Sequence, residues 1–404
     1  MATNTSKTVQ CIYYGNDGIN SSTLNLPAII AGQDVIAGIY ISIGLIGVIL
    51  NGMVIYTLIK NQIAQSYTSR SLLTNLALAD LFSAVAVILL GAKTLYIINF
   101  SRMAITVTNS SNNKPSFSNV TIQGLNDICK SSYVIFFTTN FISILTLTAL
   151  AIDRYIAMIV HHMQMINREK ANRRKTQLTI IFIWVFSICS AVPFIPTFEL
   201  TSSVNNRCLF AHHYLYQSYN ITLTVTLSVL FCAIPALILL FCYCRIAIFL
   251  YNRAKDMKSA QQHILKSDHR SDNNQIGSLM RSREIKLTIL TVTFTVIFII
   301  TTMPFIGYLI YVSGTHCNAD EVLQYLIIKK AYGWIGFDEA AHFLFILPPV
   351  LNPLCYSFGN ERFRKAILSK CSCKKKSTIS PITSNRNQQK ESSPKTESSD
   401  ALHC

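Results

Sequence analysis

The chain has 404 residues, half of them hydrophobic and only 13% charged, a balance that excludes an ordinary soluble protein of this length. Its formal net charge of +16 sits mainly in a few segments between apolar runs and in the C-terminal tail. That distribution fits membrane orientation and contact with anionic lipid, and it gives no case for a nucleic-acid partner.

The first residues, "MATNTSKTVQ", show no basic segment followed by an apolar one. No cleaved signal peptide is therefore expected, and the first apolar span is expected to act as a signal anchor. A helix needs about 20 mostly apolar residues to cross the hydrocarbon core. Seven windows meet that requirement, at 35–59, 72–98, 131–152, 178–198, 221–250, 287–312 and 334–358. None alternates in the manner of barrel strands, so the predicted fold is all-α, a bundle of seven transmembrane helices.

The predicted organisation is an arm at 1–34, a membrane domain at 35–358, a short amphipathic eighth helix on the membrane surface at 359–370, and a disordered tail at 371–404. An odd number of spans puts the termini on opposite sides, and most of the 35 Lys and Arg residues fall on the side of the C-terminus. That side is predicted to be cytoplasmic. Glycan acceptors at Asn4, Asn20, Asn99, Asn109, Asn119 and Asn220 all lie on the opposite face, which agrees with an extracellular N-terminus and a multi-pass plasma-membrane protein. The outer loop 99–128 is Asn/Ser-rich and is expected to be flexible and sugar-coated, whereas the inner segments 161–175 and 251–283 are basic.

Of twelve cysteines, Cys11, Cys129, Cys208 and Cys317 are predicted to face outward, an even set that permits three pairings. Five others lie in spans, and Cys371, Cys373 and Cys404 lie in the tail. Zinc binding by Cys371 and Cys373 finds no second ligand pair, so no metal site is expected there.

Several motifs stand in a fixed order. They are "NLALAD" at 75–80, "DRY" at 153–155, Trp184, Pro235 with Tyr243, Pro304, and "NPLCY" at 352–356. In that order and spacing the chain resembles the rhodopsin-like family of G-protein-coupled receptors over almost the whole membrane domain. About 38 Å of helix separates Cys129 from Arg154, which carries Arg154 to the inner boundary. Glu284 lies about 30 Å of helix below Pro304, so a latch from Arg154 to Asp153 and Glu284 is geometrically available. The resemblance implies that such a latch, flanked by Tyr155, holds the inactive state. It further implies that an extracellular ligand swings the sixth span outward, so that Arg154, Tyr243 and Tyr356 receive a heterotrimeric G protein.

Asp80 is an acid near the middle of the second span and needs polar company, for which Asn51, Ser143 and Asn352 are the natural partners. In the family such residues hold an allosteric sodium ion, the only cofactor the resemblance implies. Here Pro348 and Pro349 stand where relatives often have Asn and Ser, and they supply no side-chain ligands. Pro235, Pro304 and Pro353 each remove a backbone donor and are expected to kink their helices. Ile144, Pro235 and Phe298 match a packing triad of the family, with ordinary core packing as the plainer reading. Thr302 stands where relatives usually carry Trp two residues before the sixth-span proline.

The resemblance also implies a disulfide between Cys129 and Cys208, and simple arithmetic leaves Cys11 with Cys317. Cys371 and Cys373 are predicted palmitoylation sites beyond "GNERFRKAI". The Ser and Thr residues of the tail suit receptor kinases and arrestin recruitment, or simply a solvated tail. His161 and His162 replace the Pro and large apolar residue that relatives often place after "DRY".

The ligand pocket is expected among Phe136, Phe137, Asn140, Phe305, Tyr308, Asp338, Glu339 and His342. Phe136 stands where amine receptors have Asp, and Ile346 where opsins have the retinal-bearing Lys, which argues against a monoamine and against light sensing. Asp338 and Glu339 favour a cationic group, while Lys93 and Lys130 favour an anion, so a peptide and a polar small molecule both remain open. The rival reading is a seven-span transporter or channel with a proton or cation path through Asp80, Asp338, Glu339 and His342. An enzyme is not expected, since no nucleophile–base cluster or His-Glu-x-x-His metal motif occurs.

Overall fold

The structure is a computed structural model that describes residues 26–60, 66–108, 119–160, 169–200, 208–210, 217–264, 273–314 and 332–359. Sites expected at Asn4, Asn20, Asn109, Cys11, Cys317, Cys371 and Cys373, and the surface segment 360–370, lie outside the described residues.

The chain forms α1 (Leu26–Lys60), α2 (Tyr67–Thr108), α3 (Asn119–Tyr155) and α4 (Glu169–Ala191). After α4 come a 3-10 turn at Val192–Thr197 and two short antiparallel strands, β1 (Phe198–Leu200) and β2 (Cys208–Phe210). The fifth span is α5 (Gln217–Ser228), a π turn at Val229–Ala233, and α6 (Ile234–Ile264). The sixth is α7 (Asn273–Gly314), and the seventh is α8 (Tyr332–Phe345) followed by α9 (Pro348–Gly359). Among the described residues, six helical stretches are long and apolar enough to cross a membrane, and the broken seventh completes the bundle.

α3 runs through the middle: 72% of its apolar window is buried, against 22% for α1. The main core is built around it from Leu76, Phe136, Leu147, Phe231, Phe294 and Phe305. Outward-facing apolar residues such as Leu237 and Phe182 remain exposed, as a lipid-facing surface requires.

Three features differ from the sequence expectation. The segment 99–128 is not simply a loop, because α2 continues to Thr108 and α3 begins at Asn119. Pro115 is the first proline after α2 and leaves the helix free to propagate past the apolar run, and Arg102 on that extension pairs with Asp34 of α1. The basic segment 251–283 is likewise largely helical, as the end of α6 and the start of α7.

The third difference concerns the seventh span, expected as one helix at 334–358 with its kink at Pro353. The helix instead breaks at Ile346 and Leu347. Pro348 and Pro349 have no N–H to continue the ladder. The last turn of α8 therefore tightens, with Ile346 N donating to Phe343 O at 3.3 Å and Leu347 N to Leu344 O at 3.2 Å, and α9 restarts on the Leu347 carbonyl. Pro353 lies inside α9 and cannot donate to the carbonyl of Pro349, four residues back. Asn51 of α1 supplies the missing donor: its Nδ2 reaches Pro349 O at 2.7 Å and Gly47 O at 2.9 Å. Pro304, by contrast, sits within the unbroken α7. Pro235 lies two residues beyond the π turn, whose wider ring accommodates the carbonyl displaced by the proline.

α1 and α2 approach closely through glycine. A Cβ on Gly44 would lie 2.5 Å from Ile88 Cγ1 and 2.8 Å from Ala84 O, whereas one on Gly52 would meet nothing within 4 Å. Gly44→Val should cost about 1–3 kcal/mol through overpacking and lower the thermal midpoint of the purified protein in detergent, with Gly52→Ala as the control that does not lower it. Asn51→Leu should lower the same midpoint, since it strands a buried carbonyl at a cost of about 1–3 kcal/mol; an unchanged midpoint would remove Asn51 from the account of the seventh span.

Candidate functional site

The end of α3 carries the first of three polar or aromatic layers. Arg154 is 2% exposed although it is a full cation, so its donors must be met within the protein. Its Nη2 donates to Asp153 Oδ2 at 2.5 Å and to Ser69 Oγ of α2, and Ser69 Oγ donates to the same carboxylate oxygen at 3.1 Å. Ser69 is itself fixed by Ser66, whose Oγ lies 2.6 Å away and accepts the Ser69 N–H at 3.1 Å. The Arg154–Asp153 pair is formed, with Ser69 as a partner that the sequence reading did not include. Glu284 lies in α7, with its side chain outside the described residues, as does that of Tyr356 in α9. Tyr155 stands 5.8 Å, ring to ring, from Phe241. Tyr243 is turned to the sixth span, where its hydroxyl lies 3.1 Å from Thr295 Oγ1.

The second layer lies around Asp80, 2% exposed. Asn352 Nδ2 donates to its Oδ2 at 2.9 Å, joining the seventh span to the second. A small cavity opens beside it, lined in part by Asp80, Ser83, Thr139, Asn140, Ser143 and Asn352, with Leu147, Phe298 and Pro348 as apolar wall. It has room for about one water or small ion. Asn51, expected beside Asp80, is occupied instead with the carbonyls of Gly47 and Pro349. Ser83 and Thr139 were not foreseen. Ser83 is one turn on from Asp80, and Thr139 one turn before Ser143, so helical spacing from the two recognised residues would have found them. Although Pro348 offers no side-chain ligand, these hydroxyl, amide and carboxylate oxygens fit a hard cation such as sodium.

Thr302 of the sixth span joins this layer, its Oγ1 donating to Asn140 Oδ1 at 3.5 Å, while Asn140 Nδ2 donates to Phe136 O at 2.9 Å. Ile144 and Phe298 lie in the main core, and Pro235 is buried. At similar depth, Trp184 Nε1 donates to Asn75 Oδ1 at 2.8 Å and Asn75 Nδ2 to Thr146 Oγ1 at 2.8 Å, tying the second, third and fourth spans.

The third layer is aromatic. Phe137 stacks on Phe194 with centroids 4.2 Å apart, Tyr133 on Phe198 at 4.2 Å, and Phe305 on Phe345 at 4.2 Å. Phe136 is 5.7 Å from Phe345. His342 meets Phe305 edge-on at 5.0 Å and Tyr308 at 5.3 Å. Of the expected pocket residues, Phe136, Phe137, Phe305, Tyr308, Asp338 and His342 meet or adjoin this layer, while Asn140 faces the Asp80 cavity. Asp338 is buried and its Oδ1 lies 3.1 Å from His342 Nδ1, so this acid already faces an internal partner one turn away. Tyr133, Phe194, Phe198 and Phe345 were missed. Phe194 and Phe198 belong to the segment leaving the fourth span, where periodicity does not tell an inward ring from a lipid-facing one. Above them Cys129 is fully buried and disulfide-bonded, and β2, which begins at Cys208, packs against α3.

Among known proteins, the pattern of the family described as 7 transmembrane receptor (rhodopsin family) matches residues 50–356. The chain is 25% identical over 355 residues to a protein named rhodopsin, GQ-coupled, of Mizuhopecten yessoensis, covering 84% of this chain and 61% of that one. It is 25% identical over 249 residues to galanin receptor type 1 of Rattus norvegicus, covering 61% of this chain and 62% of that one. It therefore spans about three fifths of the length of these curated relatives. The crystal structure of squid rhodopsin shares the fold, with a TM-score of 0.62 and 20% identity over 85% of this chain and 86% of that one. With a family match running from within the first span to the "NPLCY" motif, over layers that join all seven spans, this chain belongs to the rhodopsin family of seven-transmembrane receptors.

Proposed function

We propose that the chain is a cell-surface receptor with its N-terminus outside, which binds an extracellular ligand and activates a heterotrimeric G protein through outward movement of the sixth span. The observation that carries this reading is Arg154, a buried cation held by Asp153 and Ser69 at the end of α3 remote from the disulfide-bonded Cys129. A charge so placed is expensive unless paired, and exchanging its partners gives two arrangements of comparable energy. A ligand that binds one arrangement more tightly shifts the population toward it. Glu284 is the second partner in the inactive arrangement, and Tyr243 and Tyr356 line the cavity that receives the G protein. The relative from Mizuhopecten yessoensis is named as GQ-coupled, which supports coupling to a G protein as such.

The ligand enters over the aromatic layer and meets Phe136, Phe137, Phe305, Tyr308, Glu339 and His342. It is a peptide or a polar small molecule, and the rat relative's name as a galanin receptor accords with a diffusible ligand. Retinal is not attached at Ile346, which has no amine and is buried at the break of the seventh span. A Cys129–Cys208 bond holds the β hairpin over this layer, and Cys11 bonds to Cys317. Asp80, Ser83, Asn140 and Ser143 are the side chains that would hold an allosteric sodium ion, which would supply a positive charge beside the carboxylate. Glycans on the outer asparagines, palmitate on Cys371 and Cys373, and arrestin and receptor kinases at the tail complete the proposal.

Losing about 1 kcal/mol of bias toward the inactive arrangement changes the equilibrium about fivefold. Asp153→Ala and Glu284→Ala should each raise ligand-independent G-protein activation to about that extent, measured at matched surface display with a panel of G proteins; if neither variant raises it, the latch is discarded. Cys129→Ser and Cys208→Ser should lower surface display equally in flow cytometry, with the double variant no worse than either single one. Additive losses would show that the two sulfurs act separately.

A further inference from the structure

The hydroxyl that joins the second span to the Asp153–Arg154 pair does not follow the usual habit of small hydroxyls in helices. Further along the spans such groups turn back on their own backbone: Thr57 donates to Met53 O at 2.7 Å and Thr74 to Arg70 O at 2.8 Å, each four residues before it. Ser69 is the third residue of α2, so the residue four positions before it precedes the helix. No ladder carbonyl competes for its proton there, and the side chain can serve another helix.

What orients it is the start of the helix. Ser66 stands immediately before α2, and its carbonyl accepts the first helical bond from Arg70 N at 3.1 Å. Its Oγ accepts the Ser69 N–H at 3.1 Å, the geometry of an N-cap, and also lies 2.6 Å from Ser69 Oγ. Proton accounting assigns the direction of that second link. A serine hydroxyl has one proton and two lone pairs, a carboxylate only accepts, and a guanidinium only donates. The Ser69 proton therefore goes to Asp153 Oδ2 at 3.1 Å, and one Ser69 lone pair takes the Arg154 Nη2 donor. The other lone pair takes the Ser66 proton. Turning the Ser69 proton back toward Ser66 would leave two oxygens, Ser69 Oγ and Asp153 Oδ2, facing each other with no hydrogen between them.

We propose that Ser66 is a positioning residue for the Asp153–Arg154 latch: its cap and its hydroxyl proton turn the Ser69 hydroxyl onto Asp153, so that the junction ahead of the second span sets the strength of the inactive arrangement. Its part in signalling rests on the proposed receptor function, whereas the relay itself is a matter of the fold, and different readouts test the two. Aspartate in place of Ser66 separates the cap from the relay. It still accepts the Ser69 N–H, but it cannot donate to Ser69 Oγ and instead draws the Ser69 proton away from Asp153.

The first readout is the thermal midpoint of the full-length protein in detergent. Ser66→Asp should lower it in the parent and leave it unchanged in Asp153→Asn, where two carboxylates no longer compete for one proton. Ser66→Ala, which loses the cap as well, should lower it in both backgrounds, and Ser66→Thr, which keeps cap and donor, should match the parent. In a Ser69→Ala background the dependence of Ser66→Asp on Asp153 should vanish. If that dependence persists undiminished without Ser69, the carboxylates act by direct repulsion and the relay is refuted; it is refuted equally if Ser66→Asp and Asp153→Asn are additive with Ser69 present. The second readout is ligand-independent G-protein activation at matched surface display, which Ser66→Asp should raise about threefold, the equivalent of one neutral hydrogen bond, and Ser66→Thr should not raise. If Asp153→Ala raises activation and Ser66→Asp does not, the positioning role is overturned with the receptor reading intact. If neither raises it while the midpoints stay coupled through Ser69, the relay stands and the latch's part in signalling falls.

Discussion

The structure depends on how a proline-rich span satisfies its backbone where no water is available. Pro348, Pro349 and Pro353 fall within six residues of the seventh span, and each removes a donor that the helix ladder needs. In lipid, an unpaired carbonyl costs several kcal/mol, so the repair must come from another helix. Asn51 makes that repair by donating to Pro349 O at 2.7 Å, and Gly47 one turn away lets the backbones come close enough: a Cβ there would lie 3.1 Å from Pro349 Cβ. One turn further on, Asn352 donates to Asp80. The first, second and seventh spans are thereby fixed to one another by polar groups. Dispersion between apolar surfaces would not do this, since lipid tails compete equally for such surfaces.

That fixed half of the bundle stands beside a more loosely tied one. Span six is connected to the centre in this layer by Thr302 and Asn140 at 3.5 Å, at the long limit of a hydrogen bond, and nearer the Arg154 end by Thr295 with Tyr243 and by Thr288 with the sulfur of Met158 at 3.4 Å. A neutral hydrogen bond of ordinary length contributes about 0.5–1.5 kcal/mol net, and longer or sulfur-accepting ones contribute less. The sixth span is held mainly by ring packing of Phe294, Phe298 and Phe305, which can slide and repack without stranding a charge. The contrast gives the proposed movement of the sixth span a mechanical basis.

The membrane spans were legible in the sequence because a bilayer imposes a length and a polarity that few other environments demand. Asp80 and Arg154 were legible for the same reason, as charges that lipid tolerates only with partners. The helical stretches beyond the membrane, at Asn99–Thr108 in α2 and past Leu250 in α6, were not, because a polar amphipathic segment in water reads the same whether it continues a helix or forms a loop. The break at Ile346 was hidden for another reason. A proline announces a missing donor, but whether the helix kinks or parts depends on which neighbouring side chain reaches the freed carbonyl, and Asn51 is 298 residues away from Pro349. Ser69, Ser83 and Thr139 were passed over because a small hydroxyl in a span most often bonds its own helix, as Thr139 does to Phe136 O, and only the fold shows that it also lines a cavity.

The aromatic and Asp80 layers meet at Thr139 and Asn140, which both donate to the Phe136 carbonyl and line the cavity beside Asp80. Asn140 donates to the carbonyl of Phe136, accepts from Thr302, and lines the cavity beside Asp80. Phe136 is packed against Phe345, which stacks on Phe305. A displacement of those rings therefore alters the helix turn that sets the Asn140 side chain, and with it the polar surroundings of Asp80 and the Asn352 bond. An indole at position 302 would pass such a displacement on by steric contact. With threonine there, the route runs through hydrogen-bond partners, whose direction and length are restricted more tightly than packing contacts are. In the proposed receptor, coupling across the membrane would then be governed by which of a few small polar side chains pair with one another in the layer around Asp80.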